Sequence, residues 1–152
     1  MFEMKKNKKI AFYIESMVVG GAEKVLIDMV NNLDQNKFDI TVIAIFKKSV
    51  YSDYQFVFEE SFSPHITFKY LIDNTNRLVC KSFNFLYNKI SKEIIYKVLI
   101  KEKYDIEVAF YEGVPTEFVS FSSQNSIKIA WLHTNQERLY QNMPAKELKE
   151  KI

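Results

Sequence analysis

His133, which closes the apolar run IKIAWLH, is the residue best placed to do chemistry. An imidazole exchanges protons near neutral pH and hydrogen-bonds hydroxyls or phosphate oxygens. A satisfied structural histidine is the plain alternative. Thr134 and Asn135 follow it with a hydroxyl and an amide. Such groups suit polyol recognition and also cap helices. Two carboxylates occupy similar places: Glu15 follows KKIAFYI, and Glu112 follows DIEVAFY. Each can accept a bond from a sugar hydroxyl or act as a base, and each is also an ordinary loop residue. Gly20 and Gly21 precede an amphipathic run, so their loop leads into a helix start, where free N–H groups and the dipole favour phosphate. A simple turn is the alternative. The glycines do not form G-x-G-x-x-G or a P-loop, which argues against a dinucleotide or NTPase site. With 2 His, a single Cys at position 80 and no Asp-x-Asp, no metal site is expected.

These residues need elements to hold them. Lys8–Ile14 and Phe38–Phe46 read as buried strands, joined by a helix over Ala22–Leu33 with apolar residues at helical spacing. This β–α–β unit implies a right-handed crossover and a parallel pair. A short helix is possible at Tyr51–Glu60. His65–Leu71 reads as a third strand, and Arg77–Lys103 as one long helix or two. Asp105–Tyr111 is a fourth strand. Glu112-Gly113-Val114-Pro115 is a tight loop, and Pro115 or Thr116 opens a helix to about Ser123. Ile127–Leu132 is a fifth strand, read as buried, and Pro144–Ile152 starts a further helix. The alternation predicts one α/β domain over 1–152, doubly wound on a mainly parallel sheet. In such a sheet, ligands bind beyond the C-terminal strand ends. The loops Glu15–Gly21, Tyr111–Pro115 and His133–Asn135 should therefore meet there. His65, at the opposite end, is given no role.

Apolar residues make up 47% of the chain, enough for a core, so a disordered chain is not expected. The net charge of +2 is too balanced to indicate nucleic acid as partner. The single cysteine excludes an internal disulfide and fits a cytoplasmic setting. No apolar run reaches the roughly 18 residues of a membrane span. Within Arg77–Lys103, the basic residues Arg77, Lys81, Lys89, Lys92 and Lys97 are interleaved with aromatic and aliphatic ones. Such a stretch can lie on an anionic membrane surface, or can simply cover a sheet with its lysines in water.

KKIAFYIESMVVGGAEKVLIDMVNNL resembles the opening of family 4 glycosyltransferases, and YDIEVAFYEG with IKIAWLHTN supports the likeness. The resemblance implies a Rossmann-like domain forming the N-terminal, acceptor-side half of a GT-B enzyme. It implies that His133 is an active-site histidine, with Gly20 and Gly21 beside the acceptor and the donor diphosphate. Glu15, Glu112, Gly113, Thr134 and Asn135 would contact the acceptor. The substrates would be a nucleotide sugar and a glycan or lipid-linked acceptor, with neither metal nor cofactor. The setting would be cell-surface polysaccharide synthesis at the inner face of the membrane. In this reading the donor-binding domain, with its E-x7-E motif, is not part of this chain. It is supplied by further chain or by a complementary subunit, in which case this chain is a non-catalytic or anchoring half. An unrelated use of the same fold, such as a small-ligand sensor, stays open.

Overall fold

A computed structural model describes residues 6–18, 20–47, 59–73, 76–87 and 89–133. Five strands form one sheet: β1 (Lys8–Ile14), β2 (Phe38–Phe46), β3 (Thr67–Ile72), β4 (Ile106–Ala109) and β5 (Ile127–Ala130). Every pairing is parallel, in the order β3-β2-β1-β4-β5. Helix α1 (Gly21–Asn31) joins β1 to β2, α2 (Arg77–Tyr87) and α3 (Lys92–Leu99) join β3 to β4, and α4 (Val114–Ser120) joins β4 to β5. The chain is an α/β protein with a Rossmann-like, doubly wound sheet.

Strand side chains alternate between two cores, as a period of two requires. Ile10, Phe12, Ile14, Val42 and Ala44 pack with Leu26, Ile27 and Val30 of α1. Ala11, Tyr13, Ile43 and Ile45 pack with Tyr87, Ile95, Tyr96, Phe118 and Val119 from the other helices. Both faces of β1 and β2 are covered, which is why their sequences are almost unbroken apolar runs. Among the described residues, no helix is long and apolar enough to cross a membrane.

The structure shifts several expected boundaries. Helix α1 begins one residue early and stops at Asn31, where the Asn32 side-chain amide donates to the Asp28 carbonyl at 2.7 Å. The stretch 77–103 divides into α2 and α3. Helix α4 opens at Val114, with Pro115 in its first turn. Of the helix considered at Tyr51–Glu60, a 3-10 turn at Glu59–Ser61 is described, and the remainder lies outside the described residues, as does Pro144–Ile152. The expectation of a buried fifth strand is wrong. All four residues of β5 are exposed. Among the described residues the strand has β4 as its neighbour on one side only, and α4 lies mainly over β4.

The core also holds a charged side chain. Glu107, in the middle of β4, is fully buried. Its Oε1 accepts the Ser122 hydroxyl at 2.7 Å and the Ser126 hydroxyl. Its Oε2 accepts the Tyr13 hydroxyl at 3.1 Å and the Tyr96 hydroxyl. The network ties β1, α3 and the α4–β5 connection to β4, and it supplies the partners that a buried carboxylate needs.

Burial holds the Tyr13 hydroxyl far above its ordinary value of 10, helped by the charges of Tyr96 and Glu107. Burial and the bond to Glu107 also raise Tyr96, and burial pushes Tyr87 up to about 12. In the unfolded chain these groups ionise near 10, whereas in the folded chain they stay neutral. Their contribution is therefore complete below pH 10 and is lost as pH rises toward the folded values. Urea unfolding midpoints should fall steadily above pH 10, and a midpoint unchanged to pH 12 would contradict this.

Candidate functional site

Of the three loops expected to converge, those after β1 and β4 leave the C-terminal edge of the sheet, and His133 is the described part of the third. After β1, the Glu15 carbonyl accepts the Phe46 N–H at 2.9 Å, and buried Met17 joins the core under α1. These two anchors carry the loop to Gly20, the N-cap of α1. Neither Gly20 nor Gly21 has a positive φ, so left-handed backbone is not what these glycines provide. Space is tighter at Gly20 than at Gly21, although the obstacle is the movable end of a side chain. A Cβ at Gly20 would collide with the carboxylate of Glu23, while one at Gly21 would meet nothing within 4 Å. Glu23 folds back over the helix start and accepts its own backbone N–H. A carboxylate of the chain thus already stands where helix N–H groups and the dipole favour an anion. A phosphate arriving there would have to displace it.

After β4, Gly113 adopts φ 82, ψ −126, a conformation that L residues avoid. It turns the chain from Glu112 into α4, where the Thr116 hydroxyl donates to the Tyr111 carbonyl at 2.6 Å. A Cβ at Gly113 would meet nothing within 4 Å, so the cost of a side chain is backbone strain alone. Gly113→Ala should lower stability by about 1–3 kcal/mol in chemical denaturation. A loss of a few tenths would show that the loop relaxes freely.

After β5, the His133 backbone N–H donates to Glu112 Oε2 at 3.0 Å. This bond continues the β4–β5 register, in which Val108 faces Ile129, past the ends of both strands. The His133 ring lies edge-on to Phe110, with centroids 4.7 Å apart. It stacks on Tyr111 at 5.7 Å and on Trp131 at 6.4 Å. Its Nε2 is buried and has no hydrogen-bond partner among the described residues.

Glu15 and Glu112, from the loops after β1 and β4, and Glu23 of α1 all act on Tyr111. Burial raises the Glu15 carboxyl above its ordinary range. It raises Glu23 too, opposed by that residue's own N–H and by His133. Tyr111 is raised by burial and then by the charges of Glu112, Glu23 and Glu15. Groups from the loops after β1 and β4, with Glu23 of α1, therefore act on one phenol. An imidazole whose Nε2 has no partner among the described residues, flat aromatic faces and carboxylate acceptors can together hold a polyhydroxylated ring and exchange a proton with it.

Thr134 and Asn135 lie outside the described residues. Glu23, Tyr111 and Trp131 were not singled out from the sequence. Glu23 had one available signal, its place three residues after the N-cap. Among the described residues, no group of three His, Cys, Asp or Glu side chains is placed to hold a metal ion. Two hollows lie at the opposite edge, one of about 440 Å³ beside Lys6–Lys9 and Tyr104 and one of about 320 Å³ that includes His65. Both lie away from the strand ends where parallel sheets bind ligands.

Of the basic residues considered for a surface role, Lys81, Lys89 and Lys97 are exposed. Arg77 opens α2. Lys92 is a correction: it pairs with Glu117 and lies over the rings of Tyr87 and Phe121, 5.2 and 5.4 Å from their centroids. Its ammonium is spent on an internal contact.

No protein-family model matches this sequence, and no curated protein is significantly similar to it, so the functional reading rests on the doubly wound fold and the geometry of this edge.

Proposed function

We propose that this chain is the acceptor-side domain of a glycosyltransferase that moves a hexose from a nucleotide sugar to a glycan or lipid-linked acceptor. One observation carries the reading: a histidine at the C-terminal edge of the sheet whose buried Nε2 has no hydrogen-bond partner among the described residues, beside Glu112 of the loop after β4. Glu15 and Glu112 would accept bonds from acceptor hydroxyls, and Trp131 and Tyr111 would stack against the apolar face of the sugar. The resemblance of the Gly-Gly-Ala-Glu loop and the strand ending in His-Thr-Asn to family 4 enzymes supports the same assignment. Transfer would proceed with retention and without a metal. The donor-binding half would come from further chain or from a second subunit.

A second reading, a binding half that pairs with a separate donor-binding chain, is favoured by β5. Its Ile127 and Ile129, with the neighbouring Trp131 and Leu132, are all exposed large hydrophobics.

Trp131 is the single tryptophan and stacks near His133, so its emission reports on this site alone. Titration with a panel of glycans and sugar nucleotides should change that emission saturably, and the response should be lost in His133→Ala. Emission unaffected by every glycan and sugar nucleotide would overturn the proposal. Saturable binding without any transfer, until a second chain is added, would favour the binding half.

A further inference from the structure

We propose that the N-terminal edge of the sheet carries a second binding site, for a small soluble ligand bearing a pyrophosphate group. Two hollows open there, of about 440 and 320 Å³, each in the size range of small-molecule sites. They share Lys9, Glu102 and Tyr104, so the two adjoin along the starts of the strands. Lys6, Lys8, Lys9 and Lys103 line the first. His65, Thr41 and Thr67 line the second. A concave cluster of ammonium groups concentrates anions, and lysine binds phosphate as a point charge. The imidazole and the two hydroxyls suit a polar, hydroxylated body attached to that phosphate.

The backbone that carries these lysines is pinned. The Asn7 amide donates to the Gln35 carbonyl and to Asp39 Oδ1, both at 3.1 Å, which fixes the chain between Lys6 and Lys8. The Lys9 N–H donates to Asp105 Oδ2 at 2.8 Å. Gln124 grips the chain on both sides of Lys103: it accepts the Tyr104 N–H at 2.8 Å and donates to the Glu102 carbonyl at 2.7 Å. Tyr104 is buried beneath, with its hydroxyl donating to Glu102 at 2.5 Å. A ligand would not have to order this backbone, which lowers the cost of binding. The carboxylates are already engaged. Asp39 and Asp105 accept the bonds just described, and Lys69 and then Tyr104 hold the Glu102 carboxyl below its ordinary range. By contrast, the side chains of Lys6, Lys8 and Lys103 are exposed and have no partner among the described residues. Helix dipoles do not account for the cluster. Lys101 does answer the end of α3, donating to the Lys97 carbonyl at 3.4 Å, but Lys6, Lys8 and Lys9 come from β1 and the residues before it. A net charge of +2 favours a small anion over nucleic acid. The groove lies at the opposite edge from His133, and the proposal does not rest on glycosyl transfer.

Isothermal titration calorimetry of the full chain with inorganic pyrophosphate tests it. Pyrophosphate should bind saturably, more weakly as salt rises, and far more tightly than sulfate. A bond to a charged group contributes about tenfold or more, so replacing Lys6, Lys8 and Lys103 together by Gln should weaken binding by more than about a hundredfold. Because these side chains are exposed, the thermal midpoint should hold. Trp131, at the other edge, should keep its emission during the titration, and His133→Ala should bind pyrophosphate as the parent does. Failure of the parent chain to bind pyrophosphate would overturn the proposal, as would equal binding of sulfate or binding that survives loss of the three lysines. Binding lost in His133→Ala instead would move the anion to the opposite edge. A single-stranded oligonucleotide that binds more tightly than pyrophosphate, and is released by the same lysine replacements, would assign the groove to a nucleic-acid backbone.

Discussion

Replacing Glu107 by Ala will cost about 3–5 kcal/mol of folding free energy, a large share of what a domain of this size has. The carboxylate is fully buried and accepts hydroxyls from Tyr13, Tyr96, Ser122 and Ser126. Truncation leaves those donors around a void, and an unmet buried polar group costs about 1–3 kcal/mol. Water entry would recover part of the loss. Glu107→Gln keeps the shape and one acceptor, and the hydroxyls can rotate to accept from its amide, so its loss should be nearer 1–2 kcal/mol. Urea unfolding of the two variants beside the parent provides the check. An alanine variant within about 1 kcal/mol of the parent would show that the network is not a principal support of the fold.

The second large effect concerns function. If the proposed function holds, His133→Ala should lower glycosyl transfer by about 10²–10⁴-fold, the range of a lost acid–base or charge-stabilising group. Stability should change little by comparison. The Nε2 has no partner among the described residues to be orphaned, so the loss is confined to ring contacts with Phe110, Tyr111 and Trp131. The histidine's backbone N–H, which holds Glu112, remains. Unchanged turnover, or a variant that fails to fold, would reduce His133 to a packing residue.

The two effects differ in how visible they were beforehand. His133 stands at the end of an apolar run, and that position marks the ligand edge of any parallel sheet. Glu107 sits inside DIEVAFY two residues after Asp105, where a charged residue in a short strand reads as an outward-facing side chain. Its partners come from β1, from α3 and from the connection before β5, and no local pattern announces such a meeting.

The sequence by itself determined the elements and their alternation, because hydrophobic period and turn residues act within a few positions of one another. That was enough for the α/β class, the parallel sheet and the edge where the loops gather. Tertiary structure alone decided the rest. The β4–β5 register sets Val108 beside Ile129, and its continuation joins Glu112 to His133 and brings the rings of Phe110 and Trp131 to 5.1 Å. It left β5 uncovered although its residues are as apolar as those of a buried strand. It turned Lys92 inward onto Glu117 while leaving Leu78 and Phe85 outward. Each of these depends on which distant segments become neighbours, and a periodicity that specifies one face of one element cannot say what that face will meet.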